Sequence, residues 1–184
     1  MKVLLTGHTS GIGEFLHGYL ESLGHKVIGV SRSTGHDITI STEMIKVIDL
    51  SLDADVFINN AYGDGHSQVK LLHDMNRTWV AREHQGLLLS IGSRAVDRPV
   101  ASNSYGDNKR VLLSTSNYIA RRYVPGIRAC CVNFGYVATE PYKNRAEVLS
   151  LEYVGEVICG IIDSPPGVQI RNVTIEAVPE PLDN

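Results

Sequence analysis

The sequence lacks the features of a membrane or secreted protein. No apolar run in its 184 residues approaches the roughly 20 residues that span a bilayer. The N-terminal apolar stretch meets glycine at Gly7, too early for the core of a signal peptide. There is no run of five like charges, no internal repeat and no low-complexity segment. We therefore expect one cytoplasmic domain, residues 1–184, without a membrane partner.

An excess of positive charge is also missing. The formal net charge is -3, and the basic residues are scattered along the chain. Nucleic-acid-binding surfaces need clustered lysine and arginine to neutralise phosphates. We therefore expect no nucleic-acid partner.

Cysteine is scarce, and the histidines are not grouped. Three cysteines cannot build a disulfide framework, and the adjacent pair Cys130 and Cys131 stands in the apolar run "IRACCVNF". We interpret that pair as small buried hydrophobic residues with reduced thiols. His66, His73 and His84 show no metal-ligand spacing with cysteines or carboxylates, so no metal is predicted.

Short apolar runs alternate with longer amphipathic stretches along the whole chain. The strand candidates are residues 2–6, 26–30, 55–60, 86–91, 127–134 and 172–178. The helix candidates are residues 12–23, 42–51, 67–83, 104–123 and 147–162. Most strand candidates are apolar on both alternations, as strands covered on two faces are. The pattern predicts an α/β fold with a doubly wound parallel sheet in three layers.

A glycine-rich loop, "TGHTSGIG", follows the first strand and precedes the first helix. Gly7 permits a tight turn, while Gly11 and Gly13 leave room for a pyrophosphate and for helix packing. The helix N-terminus would offer free N–H groups to the phosphates. We interpret this loop as a dinucleotide site; the alternative is a tight turn that is merely rich in glycine.

Four further motifs follow in a fixed order at the ends of strand candidates. They are "NNAYG" (59–63), "SIGS" (90–93), "YGDNK" (105–109) and "NFGYVAT" (133–139). Together with the TGxxxGxG loop they resemble the short-chain dehydrogenase/reductase family in its short form, although Tyr62 stands where glycine is usual. The resemblance implies a Rossmann-like fold and an NAD(P)-dependent oxidoreductase that interconverts a carbonyl and an alcohol.

The spacing of Tyr105 and Lys109 places both side chains on one face of a helix. A free phenol has a pKa near 10, and lowering it to about 7 takes roughly 4 kcal/mol. An ammonium about 4 Å away supplies ~1 kcal/mol in water but ~4 kcal/mol at an effective dielectric near 20. We therefore predict that Lys109 lowers the pKa of Tyr105 when a bound cofactor covers the pair.

The resemblance assigns a role to each member of a catalytic set. Ser93 binds the substrate carbonyl oxygen, Tyr105 acts as general acid and base, and Lys109 also binds the nicotinamide ribose. Asn76 matches the helix asparagine that ties the lysine to bulk water through a relay. The plainer alternatives are a strand-end cap for Ser93 and an ordinary polar helix residue for Asn76.

The second strand ends in "SRS", without a carboxylate before Asp37. Ser31, Arg32 and Ser33 make a plausible cradle for a 2′-phosphate, which predicts NADP(H) rather than NAD(H). The alternative is that Arg32 is a solvated surface residue. Asp37 and Ile38 resemble the pair that recognises adenine. The resemblance implies cofactor contacts from Gly7, Thr9, Ser10, Gly11, Ile12, Gly13, Ser31, Arg32, Ser33, Asp37, Ile38, Asn60, Ala61, Tyr62, Tyr105, Lys109, Gly135, Val137 and Thr139.

The chain is shorter than the family pattern in three places. Only "STGH" separates Arg32 from Asp37, so we expect the family's third strand and its preceding helix to be shortened or lost. The stretch between Asn76 and Ser90 is brief, which trims a helix that many relatives use to dimerise; the family still suggests a homodimer or homotetramer. The stretch after Thr139 is brief as well, so we expect a short substrate lid and an open site.

Two other functions remain open from the residues alone. The fold could serve a dinucleotide-binding sensor or structural protein without chemistry, which the short lid favours and the retained Ser93 opposes. A nucleotide-sugar epimerase or dehydratase uses the same tyrosine and lysine, but its relatives usually have another glycine spacing and a large C-terminal substrate domain. The substrate of the oxidoreductase is expected to be a small carbonyl compound or alcohol.

Overall fold

Six parallel strands form one sheet in the order β2-β1-β3-β4-β5-β6. The computed structural model of the protein describes residues 1–63, 65–97, 104–140 and 142–178. The strands are β1 (Lys2–Thr6), β2 (Lys26–Val30), β3 (Val56–Asn59), β4 (Gly86–Ile91), β5 (Ile127–Phe134) and β6 (Asn172–Ile175). The helices are α1 (Gly11–Ser22), α2 (Ser41–Ser51), α3 (Ser67–Ala81), α4 (Ser104–Arg121) and α5 (Leu151–Ile162).

The sheet is covered on both faces, so its strands are apolar in both alternations. Val3 and Leu5 point into a core shared with α1 and α5. Leu4, between them, points into the opposite core, which α2, α3 and α4 cover. Burying both faces of a parallel sheet in this way yields the three layers and the doubly wound architecture predicted from the sequence.

Strand β1 lies between β2 and β3 and pairs with both in parallel. The chain therefore leaves β1 toward one edge of the sheet and later returns to its other side. At this reversal the loops after β1 and β3 diverge, which opens a crevice at the carboxyl ends of the strands. The glycine-rich loop lies at that crevice.

The chain between β2 and α2 contains one 3-10 turn, Arg32–Thr34, and no strand. Ser31 and Thr34 form a capping box around this turn, and Gly35 ends it with φ +75°. Strand β2 is consequently an edge of the sheet. The short spacing predicted that a third strand and its preceding helix are shortened or lost, and this segment contains only the 3-10 turn.

The last helix begins later than its sequence pattern predicts. The periodicity favours residues 147–162, whereas α5 begins at Leu151. Ser150 caps the helix by accepting a hydrogen bond of 3.1 Å from the Tyr153 amide, and Leu149 forms a parallel bridge with Val137. Leu149 thus pairs with the loop after β5 instead of joining the helix.

Cys130 and Cys131 are both fully buried within β5, as predicted. Burial raises the pKa of each thiol to about 12, so neither is a ready nucleophile. In the described ranges, no helix is long and apolar enough to cross a membrane.

Candidate active site

Two adjoining cavities occupy the crevice at the carboxyl ends of the strands. The larger, of about 800 Å³, is the groove; the smaller, of about 410 Å³, is the pocket. The groove is lined by Gly7, Thr9, Ser10, Ile12, Ser31, Arg32, Ser33, His36, Asp37, Ile38, Thr39, Asn60, Ala61, Tyr62, Gly63 and Thr139. Ile12, Asn60, Tyr62 and Thr139 also line the pocket, so the two cavities are continuous.

Gly7, Thr9, Ser10 and Ile12 of the glycine-rich loop line the groove, whereas Gly11 and Gly13 are not among its lining residues. A Cβ added at Gly13 would lie 2.1 Å from the carbonyl oxygen of Gly7. Gly7 and Gly11 have φ of +74° and +57°, a region that favours glycine. Asn60 Nδ2 donates to the Thr6 carbonyl at 3.0 Å and ties the loop after β3 to this loop. The backbone can therefore approach a ligand closely.

The start of helix α1 leaves its first-turn N–H groups without a side-chain cap. Ser10 is the N-cap residue, with φ -161° and ψ 156°, yet its hydroxyl makes no capping hydrogen bond. The uncapped groups and the positive end of the helix dipole suit an anion such as a pyrophosphate. Ser10 and Thr9 both line the groove at this point.

The far end of the groove is built from the 3-10 turn and the residues after it. Ser31 Oγ and Ser33 Oγ lie 2.8 Å apart, and Arg32 is exposed between them. The Thr39 amide and hydroxyl donate to the Asp37 carboxylate at 2.9 and 2.7 Å. These bonds, and more weakly Arg32, lower the pKa of Asp37. The carboxylate is thus charged and held in place.

Lys109 lies in the first turns of α4, and its ammonium is buried beneath the pocket. Only 3% of the residue is exposed. Its Nζ donates to Gln68 Oε1 and to the Ile91 carbonyl, both at 2.9 Å. Burial lowers the pKa of Lys109 to about 8. The ammonium is therefore still charged at neutral pH, close to the pH at which it loses its proton.

Tyr105 is one turn before Lys109 and faces the same pocket. Lys109 Nζ is 5.5 Å from the centre of its ring, and 37% of the residue is exposed. Burial raises the pKa of Tyr105, and a hydrogen bond with Ser93 lowers it by less. In the protein alone the pKa of Tyr105 is therefore raised, whereas the sequence predicted a lowered pKa for Tyr105 when a bound cofactor covers it and Lys109. The reason is that desolvation of the phenol outweighs the hydrogen bond with Ser93.

Ser93 follows β4 and is positioned by β5. Its amide donates to Asn133 Oδ1 at 3.3 Å, and the Ala95 amide donates to Ser93 Oγ at 3.2 Å. Gly92 permits this approach, because an added Cβ there would lie 2.1 Å from Asn133 Oδ1. The hydroxyl therefore lies in the pocket wall beside Tyr105.

Asn76 makes no direct hydrogen bond with Lys109 among the described residues, and its place in a water relay stays a prediction. It is buried on α3, and its Oδ1 has no hydrogen-bond partner among the described residues. Gln68, at the start of α3, bonds Lys109 instead, and its Nε2 donates to the Asn59 carbonyl at 2.8 Å. Sequence reasoning missed Gln68; the available signal was a polar residue on the apolar face of a helix.

Tyr62 forms the wall between the groove and the pocket. Its ring meets the ring of Tyr105 edge-on, with centroids 5.0 Å apart at 70°. Asn108 Nδ2 donates to the Tyr62 hydroxyl at 3.2 Å, and Lys109 Nζ lies 5.3 Å from the ring centre. The residue that departs from the family pattern thus covers one side of the Tyr105–Lys109 pair.

The loop after β5 supplies the remaining wall. Gly135, Val137 and Thr139 line the pocket, as expected, and Tyr136 and Tyr142 add two aromatic rings 5.1 Å apart. Pro141, within the expected short lid, lies outside the described residues. His36, Thr39, Gly63, Tyr136 and Tyr142 line the site without having been predicted.

Comparisons with known proteins show what this architecture is similar to. No protein-family model matches the chain, and no curated protein matches it in sequence. A short-chain type dehydrogenase/reductase from Mycobacterium marinum is similar, with a TM-score of 0.79 and 16% identity, over 95% of this chain and 93% of that one. A closed serine dehydrogenase complexed with NADP+ is similar, with a TM-score of 0.78 and 20% identity, over 100% and 98%.

A third solved structure has the same fold. It is the 3-ketoacyl-(acyl-carrier-protein) reductase from Brucella melitensis complexed with NADH, with a TM-score of 0.76 and 16% identity, over 95% of this chain and 96% of that one. At this level of identity the comparisons establish the fold. The chain has the Rossmann-like α/β fold found in short-chain dehydrogenases and reductases.

Proposed function

We propose that the protein is an NADP(H)-dependent oxidoreductase of the short-chain dehydrogenase/reductase family that interconverts a carbonyl and an alcohol. One observation carries the proposal: a groove lined in part by the glycine-rich loop opens into a pocket where Ser93 and Tyr105 are hydrogen-bonded above a buried Lys109. A cytoplasmic location, one domain over the whole chain and assembly into a homodimer or homotetramer belong to the same proposal.

The groove fits a nicotinamide dinucleotide at each of its parts. Gly7, Thr9 and Ser10 line the groove at the uncapped start of α1, where the pyrophosphate would bind, and Arg32 with its flanking serines suits a 2′-phosphate. Asp37 would accept from the adenine amino group. The shared wall of groove and pocket, with Lys109, would hold the nicotinamide end. When bound, the cofactor supplies or accepts the hydride. Two of the similar structures were solved with NADH and NADP+.

In the reductive direction the chain supplies a proton and holds the carbonyl oxygen. Ser93 donates a hydrogen bond to that oxygen, and Tyr105 transfers its phenolic proton to it as the hydride reaches carbon. The raised pKa of Tyr105 keeps the phenol protonated at neutral pH, which a donor requires. Lys109 then stabilises the phenolate by its charge, and the low dielectric of its buried site strengthens that attraction.

The test of the proposal is consumption of NADPH with a panel of ketones, aldehydes, quinones and acyl thioester ketones. We expect turnover with at least one class. Tyr105→Phe should lower kcat by roughly 10³-fold, since it removes the general acid, while the Kd for NADPH changes less than about twofold. Tyr118→Phe, on the same helix and 62% exposed, is the matched control and should keep full activity. Undiminished turnover in Tyr105→Phe would refute this mechanism.

A dinucleotide-binding sensor is the second candidate, and one observation favours it. The Lys109 ammonium donates hydrogen bonds to Gln68 and to the Ile91 carbonyl. The pKa of Tyr105 is raised in the protein alone, so its phenol is not activated as a base. A sensor would bind NADPH, as measured by the cofactor's fluorescence, and oxidise it with no member of the panel. The same panel therefore separates the two functions.

A further inference from the structure

The charged side chains that line the pocket carry one sign. Among the described lining residues they are Arg94, Lys109 and Arg110, with no carboxylate. Glu176 pairs with Arg94 and Asp107 with Arg110, but neither acid lines the pocket. Arg145 stacks on the Tyr136 ring at 4.0 Å and adds a further cation to that wall. The interior is thus suited to an anion.

Arg94 lines the pocket together with Ser93 and Tyr105. It directly follows Ser93, so their Cα atoms are about 3.8 Å apart. Its guanidinium lies 5.6 Å from the centre of the Tyr136 ring, and 28% of the side chain is exposed. A guanidinium fork at this place can reach a carboxylate close to a carbonyl held by Ser93.

The side chain of Arg94 is held in place rather than free to move. The Glu176 carboxylate accepts a hydrogen bond from Nη1 of Arg94. A guanidinium has five N–H donors, and this bond occupies one side of the group. Gly135 makes room for the stem: an added Cβ there would lie 3.4 Å from Arg94 Cδ and 2.9 Å from Glu176 Cβ. The ion pair therefore aims the guanidinium while other donors of the fork stay available.

We propose that the substrate is a small oxo acid or its hydroxy acid, whose carboxylate binds Arg94 while Ser93 and Tyr105 hold the carbonyl oxygen. This inference rests on the proposed function. The pocket's volume of about 410 Å³ must also accept the nicotinamide end, which leaves room for a small molecule. The hydride adds to the carbonyl carbon, the Tyr105 proton goes to its oxygen, and the carboxylate is unchanged.

The test compares 2-oxo and 3-oxo acids with their methyl esters as substrates in the presence of NADPH. In the wild-type protein we expect kcat/KM at least tenfold higher for one of the acids than for its ester. Arg94→Gln should lower kcat/KM for that acid roughly 10- to 100-fold, because a charge-assisted bidentate contact is lost. Its kcat/KM for the ester should change less than about threefold.

The ester also reports whether the variant site is intact. If Arg94→Gln loses acid and ester activity together, Arg94 is a structural residue and the inference fails. Arg94→Lys keeps the charge without the fork and should lie between wild type and Arg94→Gln for the acid. Arg77→Gln removes an exposed arginine on α3, outside the pocket lining, and should leave both substrates unaffected.

The failures of the two proposals are distinguishable. Equal kcat/KM for acids and esters in the wild-type protein would overturn the oxo-acid inference and leave carbonyl reduction standing. No NADPH consumption with any acid, ester or neutral carbonyl compound would overturn the proposed function itself.

Discussion

The groove and the pocket meet at Tyr62 but are built in different ways. The groove is made mostly of short segments whose residues are near one another in sequence, such as the glycine-rich loop and the turn from Ser31 to Asp37. The pocket is made of side chains brought together from distant elements. Lys109 bonds Gln68 across 41 residues, and Ser93 bonds Asn133 across 40.

The difference separates two kinds of constraint. In the groove, the backbone of the glycine-rich loop sets how closely a ligand can approach, and Arg32, its flanking serines and Asp37 supply the side chains that would bind it. In the pocket, burial and partner distances set the charge of each group, so the same residues in another packing would behave differently. Substitutions in the groove and in the pocket can therefore test the two kinds of constraint separately.

Substitution at Gly13 should break the groove. In Gly13→Ala the new methyl would lie 2.1 Å from the Gly7 carbonyl, and backbone cannot yield as a flexible side chain does. We expect the free energy of unfolding to fall by ~3 kcal/mol or more and binding of NADPH to be lost. Gly18→Ala in the same helix meets nothing within 4 Å and should stabilise by about 1 kcal/mol. Similar unfolding curves for the two variants would contradict the steric argument.

The buried ammonium should give the pocket a measurable pH dependence. Lys109 has a pKa of about 8 in the folded protein against an ordinary value of 10.5, so between these values the unfolded chain holds a proton that the folded one has released. The free energy of unfolding contributed by Lys109 therefore rises as the pH increases from 8 to 10.5. This contribution is lost below pH 8. The full change is about 3 kcal/mol.

Lys109→Met isolates this contribution. The free energy of unfolding of wild type minus that of Lys109→Met should rise by about 3 kcal/mol between pH 7 and pH 10.5. Denaturant titrations at several pH values measure this difference. The other titratable groups are present in both proteins, so their contributions cancel in it. A difference that does not vary with pH would show that Lys109 is hydrated rather than buried.

Substitution of Arg32 tests whether a side chain of the groove contributes to the affinity for the cofactor. If it binds the 2′-phosphate, Arg32→Ala should raise the Kd for NADPH roughly 10- to 100-fold and leave the Kd for NADH unchanged. Fluorescence titration with both cofactors gives the comparison. Arg122→Ala removes an exposed arginine outside the groove lining and serves as control. An unchanged preference would make Arg32 a solvated surface residue.

Tyr62 tests the wall that the two cavities share. Tyr62→Phe keeps the ring against Tyr105 and removes the hydroxyl that accepts from Asn108, which is buried. The free energy of unfolding should fall by about 1 kcal/mol, and Tyr118→Phe should change it by less than ~0.5 kcal/mol. A Tyr62→Phe protein as stable as wild type would mean that Asn108 finds another acceptor.

Much of the groove could be predicted from sequence because its information is local. The strand, the glycine spacing and the helix that follows appear together in the first 22 residues, and the fold has them where they were expected. The pocket could be predicted only in part. Ser93, Tyr105 and Lys109 line it together, but Gln68 was missed because its contact with Lys109 depends on how α3 packs against α4. The start of α5 was missed because Leu149 pairs with Val137 in the loop after β5.

By itself the sequence determined the alternation of strands and helices, the glycine-lined turn and the spacing that stacks Tyr105 over Lys109, because these depend on residues a few positions apart. Only the tertiary structure decided which groups the buried ammonium faces, that the pocket's charged lining is cationic, and that the pKa of Tyr105 is raised in the protein alone. The physical reason is that desolvation and charge pairing depend on distances between atoms far apart in the chain, which no local pattern encodes.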